Sequence, residues 1–231
     1  VLFEKGAKIG GQIHLAAVPP RKSEILRAIS YYEKILPTLH VDLKLHTEPT
    51  AAELNGFDSV LVAVGAHNMA LPMPVENSNV VSSWDVLKGT EVSGTCVVLG
   101  GGLVGTETAE YLADKGYKVA IVEMLDKIAA GESGTVLPLI TKDFEKHGVA
   151  QHVSTKVNEI RDNVIYATNL TDNTEAVISA DTIVNALGSR KNIFDAAGIT
   201  APITYIGDCS GERTADIAAA IRSAYHAAND I

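Results

Sequence analysis

The sequence predicts an α/β fold in which helices cover parallel β-sheets, and three observations support this prediction. Short apolar runs rich in β-branched residues alternate with longer amphipathic segments along the chain. Residues 59–64 form a continuous apolar run of the length expected for a buried strand. Residues 95–123 contain a complete strand–turn–helix–strand unit, the building block of a parallel sheet. Sandwiches and helical bundles are therefore disfavoured.

The first part of the chain predicts strands and helices joined by loops rich in glycine or proline. Ser23 is a candidate cap for a helix that ends at Pro37, since apolar residues recur between them at helical spacing. The other predicted elements are a strand at 1–5, a loop at 5–12, strands at 41–46 and 59–64, an irregular crossing at 65–82, a short helix at 84–87 and a boundary at 91–94.

The second part of the chain contains the clearest pattern and then a group of short alternating segments. The group at 151–179 has the alternation typical of an antiparallel ribbon. The predicted strands are 95–99, 118–123, 151–153, 157–161, 164–168, 176–179, 181–187 and 204–206, and the predicted helices are 106–115, 136–147 and 214–229.

Composition excludes several classes of partner. The formal net charge is −9, the sequence pI is about 5.2, and Lys and Arg form no cluster, which argues against binding to nucleic acid or to an anionic membrane surface. No apolar run approaches the roughly 20 residues that cross a bilayer, and no secretory signal opens the chain. Cys96 and Cys209 form neither a CxxC motif nor a metal-ligand spacing. We therefore expect a cytoplasmic protein without a metal site.

The start of the chain indicates further sequence upstream. Val1 is not a methionine, and the residues Val-Leu-Phe-Glu-Lys have the pattern of the end of a buried strand. The length of 231 residues suits two ordinary domains, and we expect two.

A G-x-G-x-x-G turn follows the strand at 95–99 and opens a helix. Gly100 permits the tight turn, Gly102 lets the backbone approach a pyrophosphate, and Gly105 lets the helix pack against the strand. The backbone amides at Leu103 and Val104 then begin a helix whose unpaired N–H groups attract an anion. The pattern predicts a dinucleotide site.

Glu123 ends the next strand, 18 residues after Gly105, where it can accept hydrogen bonds from both hydroxyls of an adenosine ribose. A 2′-phosphate would be repelled by this carboxylate and would find no adjacent arginine, so we expect a preference for NAD(H) over NADP(H). Lys127 is close enough to weaken that preference. The alternative interpretation is that the glycines serve only a tight turn and that Glu123 is a solvated strand end.

Glu4 has the same place at the end of the first strand that Glu123 has in the later one. Two acids in equivalent places indicate two nucleotides. The phosphate-binding turn that would precede Glu4 is absent, so an ordinary surface acid is the alternative interpretation.

An ordered set of motifs resembles the NADH:flavin oxidoreductases that carry a disulfide-reductase-like FAD/NAD module behind an Old Yellow Enzyme-like barrel, such as dienoyl-CoA reductase, 2-enoate reductase and trimethylamine dehydrogenase. The resemblance covers essentially the whole chain. It is carried by Leu2-Phe-Glu-Lys5 with Gly10-Gly-Gln12, by residues 16–20 before a helix with Tyr31-Tyr32, by Ala63-Val-Gly65, by the G-x-G-x-x-G segment, by Ala186-Leu-Gly188 and by Ile206-Gly-Asp208.

The resemblance implies two Rossmann-like, disulfide-reductase-type dinucleotide-binding domains. The FAD domain, residues 1–91 and 204–231, would be split around an NAD(H) domain at 92–203 and would lack its first strand. Ala186 and Gly188 would lie near the nicotinamide. Ala63-Val-Gly65 resembles the Ala-Thr-Gly crossover, the segment where the chain of such proteins leaves the FAD domain. Val64 replaces the threonine here, which weakens any polar contact at that point. The residues that the resemblance assigns to the FAD side are Glu4, Lys5, Gly11, Gln12, Ala63, Gly65, Gly207 and Asp208.

The resemblance also implies a function as the electron-entry module of a larger flavoenzyme. NADH would pass a hydride to FAD, and electrons would continue to a 4Fe-4S cluster and FMN in an upstream barrel domain of the same polypeptide. The chain would supply no catalytic residue, and FAD would bind only in the complete parent protein. Two alternatives are a non-catalytic domain that holds a nucleotide, and the reductase part of a glutamate-synthase-like complex.

Overall fold

The structure, a computed structural model, describes residues 1–211 and 216–231. Its helices are α1 Ile13–Ala16, α2 Leu26–Thr38, α3 Ala51–Leu54, α4 Ser83–Lys88, α5 Leu103–Asp114, α6 Leu137–His147 and α7 Ile217–Asn229. Its strands are β1 Leu2–Glu4, β2 Leu43–Leu45, β3 Val60–Val62, β4 Ala66–Asn68, β5 Val75–Glu76, β6 Val80–Ser82, β7 Thr95–Leu99, β8 Lys118–Val122, β9 Ala150–His152, β10 Thr155–Arg161, β11 Val164–Asn169, β12 Glu175–Ser179, β13 Thr182–Asn185, β14 Ser189–Lys191 and β15 Ile203–Tyr205. Among the described residues, no helix combines the length and the apolar character that crossing a membrane requires.

The chain forms two compact units. Unit 1 consists of Val1–Ala17, Lys22–His67 and Ser189–Ile231. In it β1 pairs in parallel with β2, β3 pairs in parallel with β15, and β4 pairs with β14. Its core includes Leu54, Val60, Val62 and Cys209. Among the described residues, β1 and β3 each have a strand partner on one side.

Unit 2 consists of Val18–Arg21 and Asn68–Gly188 and contains a five-stranded parallel sheet in the order β6-β13-β7-β8-β9. Alternate residues of β7 face opposite sides of this sheet, as a strand buried on both faces requires. Val98 packs in a cluster with Leu112 of α5 and Phe144 of α6, whereas Leu99 packs in a second cluster with Ile165 of the ribbon β12-β11-β10. The predicted α/β class with parallel sheets is confirmed.

The predicted ribbon is confirmed for its last three strands but was wrong for the first. β10, β11 and β12 pair antiparallel, whereas β9 pairs in parallel with β8 at the edge of the main sheet. A three-residue strand carries too little alternation to identify its partner, and the contact with β8 is long-range.

The segment 65–82 was predicted to be irregular, and it contains three short strands instead. β6 forms the edge of the parallel sheet by pairing with β13 in the register Val81↔Val184. The compact units divide at 67/68 and 188/189, and β6 and α4 pack with the sheet of unit 2. The nucleotide-binding domains expected at 1–91 with 204–231 and at 92–203 stay a prediction. Which nucleotide each unit binds stays a prediction.

Two helix ends differ from the prediction. Ser23 begins a 3-10 turn without capping the helix through its side chain, and Pro37 lies inside the last turn of α2 and not beyond it. Pro37 has no backbone N–H to donate to the carbonyl oxygen four residues earlier, and α2 ends one residue after it. The predicted start of the final helix at Thr214 lies outside the described residues. Within them, the side chain of Asp216 caps α7 by accepting the Ala219 N–H at 2.7 Å.

Candidate functional site

The glycine turn lies between β7 and α5, where packing restricts two positions to glycine. Gly100 has a φ of +99°, and a Cβ atom there would lie 2.6 Å from the carbonyl oxygen of Ala186. A Cβ atom on Gly105 would overlap the carbonyl oxygen of Gly100. Both glycines therefore permit the close approach of helix and strand that the motif predicts.

Gly102 faces open space. It precedes the first residue of α5, no side chain caps the helix, and no atom of the described residues lies within 4 Å of where its Cβ would be. The adjoining Leu103 and Val104 are each 41% exposed. Because the first N–H groups of a helix lack partners within the helix, this end presents backbone donors at an accessible surface. The arrangement fits the pyrophosphate of a dinucleotide.

Glu123 lies beside this turn, directly after β8. Its Oε2 accepts the Gly101 N–H at 2.6 Å, and its Oε1 accepts the Leu125 N–H at 2.7 Å. Each carboxylate oxygen keeps a lone pair for another donor, since an ionised carboxylate offers about four acceptor positions. The two backbone amides thus hold the acid where a ribose bound at the turn would meet it.

Ala186 and Gly188 follow β13, the neighbour of β7. The Ala186 N–H donates to the carbonyl oxygen of Leu99 at 2.9 Å, so the chain after β13 continues along the glycine turn. Gly188 has a φ of +117°, and no atom of the described residues lies within 4 Å of its Cβ position. The structure therefore brings Ala186 to the turn and leaves Gly188 at an open surface.

Within unit 1, Glu4 repeats one of the two backbone contacts of Glu123, the bond from the N–H two residues later. Its Oε1 accepts the N–H of Gly6 at 2.6 Å. Lys5 and Gly11 are exposed, and Gly11 has no described atom within 4 Å of its Cβ position. These residues leave an acceptor and open space beside the end of β1.

Gln12, Gly65 and Asp208 are distant in sequence but adjacent in unit 1. The Gln12 Nε2 donates to the Asp208 Oδ2 at 3.5 Å, and a Cβ atom on Gly65 would lie 3.0 Å from that Nε2. Ala63 is exposed at the end of β3, and the Gly207 N–H donates to the hydroxyl of Ser223 at 2.8 Å. The structure therefore brings Gln12, Gly65 and Asp208 together and joins Gly207 to α7.

Two asparagines near these sites were missed by the sequence reasoning. The Asn192 Nδ2 donates to the carbonyl oxygen of Val64 at 2.7 Å, and its backbone N–H donates to that of Gly65 at 2.9 Å, so it fixes the crossover after β3. Asn185, in unit 2, ends β13 and is buried like the rest of that strand. The sequence signal for Asn185 was one amide residue at the end of an apolar run, whereas Asn192 follows Arg190 and Lys191 and carried no such signal.

The two units fit a dinucleotide to different extents. Unit 2 provides the glycine turn, the open helix end and the acid, which together match a pyrophosphate and a ribose. Unit 1 provides Glu4 and the cluster of Gln12 and Asp208, which suit hydroxyl groups, but its described residues contain no G-x-G-x-x-G turn. The described part of unit 1 therefore matches less of a dinucleotide than unit 2 does.

The principal charge cluster of unit 2 lies on the outer side of α5. Arg21 forms ion pairs with Glu110 and Asp143. Burial raises the pKa of the Glu110 carboxyl above its usual value, and Arg21 only partly offsets this. Burial would also raise the pKa of Asp143, but the hydrogen bond and charge of Arg21 outweigh it and hold that pKa below its usual value. The cluster fastens Val18–Arg21 to α5 and α6.

Comparison with known proteins gives the family. Residues 28–223 match the family described as pyridine nucleotide-disulphide oxidoreductase. A bilirubin reductase of Mediterraneibacter gnavus is 44% identical over 99% of this chain and 36% of its own length. A cinnamate reductase of Clostridium sporogenes is 31% identical over 100% of this chain and 35% of its own length. The chain thus spans about a third of the length of these curated relatives.

Solved structures show the same fold. A 2-naphthoyl-CoA reductase in complex with 2-naphthoyl-CoA superposes with a TM-score of 0.86 at 25% identity, over 96% of this chain and 34% of that one. A histamine dehydrogenase from Rhizobium sp. 4-9 superposes with a TM-score of 0.88 at 20% identity, over 100% of this chain and 40% of that one. The predicted resemblance to a disulfide-reductase-like FAD/NAD module is confirmed. The chain belongs to the pyridine nucleotide-disulphide oxidoreductase family.

Proposed function

We propose that this chain is the electron-entry module of a larger flavoenzyme and that it receives electrons from NADH. The observation that carries the proposal is the placement of Glu123 against the glycine turn, with both carboxylate oxygens fixed by backbone amides. A turn that served only the fold would not need an acid oriented toward the open helix end. The family match adds that the chain belongs to oxidoreductases that use pyridine nucleotides.

Charge supports NADH over NADPH. A 2′-phosphate at the ribose would lie next to the carboxylate of Glu123, which repels it. The residues that follow, Met124 and Leu125, are exposed and apolar, so they provide no cation for the phosphate. Lys127, four residues after Glu123, is exposed and is the basic residue nearest to Glu123 in sequence.

Unit 1 is proposed to hold FAD, and unit 2 to hold NAD(H). When bound, FAD accepts a hydride from NADH and passes electrons onward. In unit 1, Glu4 would accept hydrogen bonds from ribose hydroxyls, and Gln12 with Asp208 would bind hydroxyls of the flavin chain. The proposal assigns these side chains to binding and orientation.

The rest of the FAD site is proposed to come from the same polypeptide, outside these residues. β1 and β3 each carry an edge without a strand partner among the described residues, and the unpaired backbone groups of such an edge are able to pair with a further strand. The relatives are about three times as long as this chain, which leaves room for that strand and for a barrel domain with FMN and a 4Fe-4S cluster. A cytoplasmic location is part of the proposal.

The test is reduction of bound flavin in the full-length polypeptide that contains this chain. When this polypeptide is mixed anaerobically with NADH, its flavin is expected to lose the absorption of the oxidised form. The Glu123→Ala variant is expected to need a higher NADH concentration for the same rate of flavin reduction. Gln151→Ala, an exposed change on β9, is a matched control that leaves the rate unchanged. Tightly held ADP with no flavin reduction would contradict the proposal and favour a nucleotide-holding domain without turnover.

A further inference from the structure

Asn185 is a buried amide at the carboxyl end of β13. The strand Thr182–Asn185 is buried throughout, and Asn185 itself is 6% exposed. Its register partner on β7 is Leu99, the last residue before the glycine turn. The amide therefore lies in the sheet at the level where the turn begins.

Both halves of this amide are hydrogen bonded to backbone groups. Its Nδ2 donates to the carbonyl oxygen of Met69 at 2.6 Å, and its Oδ1 accepts the N–H of Leu187 at 3.2 Å. The Met69 N–H in turn donates to the carbonyl oxygen of Gly188 at 2.9 Å. Because a buried amide without partners is costly, these bonds satisfy the side chain, and they also join the segment after β13 to Met69.

The tied segment contacts the glycine turn. The Ala186 carbonyl oxygen lies where a Cβ of Gly100 would meet it at 2.6 Å, and the Ala186 Cβ would lie 3.2 Å from a Cβ on Gly105. Gly188, two residues on, borders open space. In the order β13-β7-β8, Glu123 follows β8 on one side of the glycine turn and this segment follows β13 on the other. A dinucleotide with its adenosine ribose at Glu123 and its pyrophosphate at the turn therefore reaches this segment with its nicotinamide end.

We propose that Asn185 is a positioning residue for the nicotinamide end of NAD(H): it holds the Ala186–Gly188 segment, through Met69 and Leu187, against the dinucleotide. This inference rests on the proposed function, because it requires the dinucleotide to bind at the glycine turn. Asn185 acts through the backbone that it fixes and has no direct role in the chemistry.

The test compares two ligands that differ only at the end in question. NADH carries the nicotinamide, whereas ADP-ribose has the same adenosine, pyrophosphate and second ribose without it. The near-isosteric Asn185→Leu removes both hydrogen bonds and is expected to raise the Kd of NADH about tenfold, or about 1.4 kcal/mol, while the Kd of ADP-ribose stays the same. The fluorescence of bound NADH is expected to shift as the nicotinamide loses its fixed surroundings.

Thr182→Val is the matched control. Thr182 is fully buried at the opposite end of the same strand, where its hydroxyl donates to the carbonyl oxygen of Ser93 at 3.1 Å. Its loss is expected to lower the melting temperature without changing either Kd. Equal weakening of NADH and ADP-ribose by Asn185→Leu, or no weakening of either, would overturn the inference. Failure of the unaltered protein to bind NADH would instead refute the proposed function and the inference with it.

If Asn185→Leu does not fold, hydrogen exchange of the unaltered protein decides the matter. NADH is expected to slow exchange at the Leu187 and Gly188 amides, and ADP-ribose is expected to leave them unchanged. Equal protection by both ligands would overturn the positioning role.

Discussion

Replacing Gly105 with alanine tests the close contact between α5 and β7. The added Cβ would overlap the carbonyl oxygen of Gly100 and lie 2.9 Å from its carbonyl carbon. Alanine favours a helix over glycine by about 1 kcal/mol, but overpacking costs about 1–3 kcal/mol, and a backbone neighbour cannot rotate away as a side chain can. The rigid neighbour places the overpacking cost near the upper end of that range, and subtracting the gain in helix propensity leaves an expected loss in the stability of unit 2 of roughly 2 kcal/mol for Gly105→Ala.

The assay is chemical denaturation followed by the fluorescence of Trp84, which is the sole tryptophan and lies in α4 of unit 2. Gly102→Ala is the matched control, since its Cβ meets no described atom within 4 Å and its φ of −67° is ordinary. It is expected to change stability by less than about 0.5 kcal/mol and yet to raise the Kd of NADH about tenfold, because the Cβ occupies the approach of the pyrophosphate. Unaltered unfolding of Gly105→Ala, or unaltered NADH binding by Gly102→Ala, would refute this reasoning.

Three further predictions concern charge and burial. Glu123→Gln is expected to raise the Kd of NADH and to reduce the preference for NADH over NADPH, because the repulsion of a 2′-phosphate is removed. Parallel titrations measure the Kd of each cofactor, and an unchanged ratio of the two Kd values would argue against this role. Burial raises the pKa of Glu110, so its contribution to stability is present below the ordinary value of 4.5 and is lost as the pH rises through the raised value. The glutamine of Glu110→Gln has no proton to lose, so the free energy of unfolding of this variant, relative to that of the unaltered protein, is expected to rise as the pH increases through that range. Denaturation at a series of pH values measures both free energies, and a difference between them that does not change with pH would contradict the reasoning. Cys96 is 0% exposed, and burial, with a smaller effect of Asp181, raises its pKa to about 11. A thiol reagent at neutral pH is expected to modify Cys96 only after unfolding, and rapid labelling of the folded protein would contradict its burial.

The parts of the fold that depend on local pattern could be predicted from the sequence. The unit at 95–123 is visible because its strand, glycines and helix are adjacent in the chain, and the structure places them as β7, α5 and β8. The partners of β6 and β9 could not be predicted, because strands of three residues carry too little alternation and their pairing is decided by residues far away in sequence.

The same distinction applies to the candidate site. The approach of Glu123 to the turn follows from two parallel strands that end at one edge of a sheet, so it was predictable. The tie between Asn185 and Met69 spans more than a hundred residues, and the tie between Asn192 and Val64 does as well. A single asparagine near a strand end has no pattern that identifies such a partner.

Titration of the folded chain with NADH and, in parallel, with NADPH tests the central claim most directly. The glycine turn and Glu123 predict saturable binding of one NADH per chain, followed by nicotinamide fluorescence, with weaker binding of NADPH. The absence of saturable NADH binding, or binding of NADPH as tight as that of NADH, would contradict it.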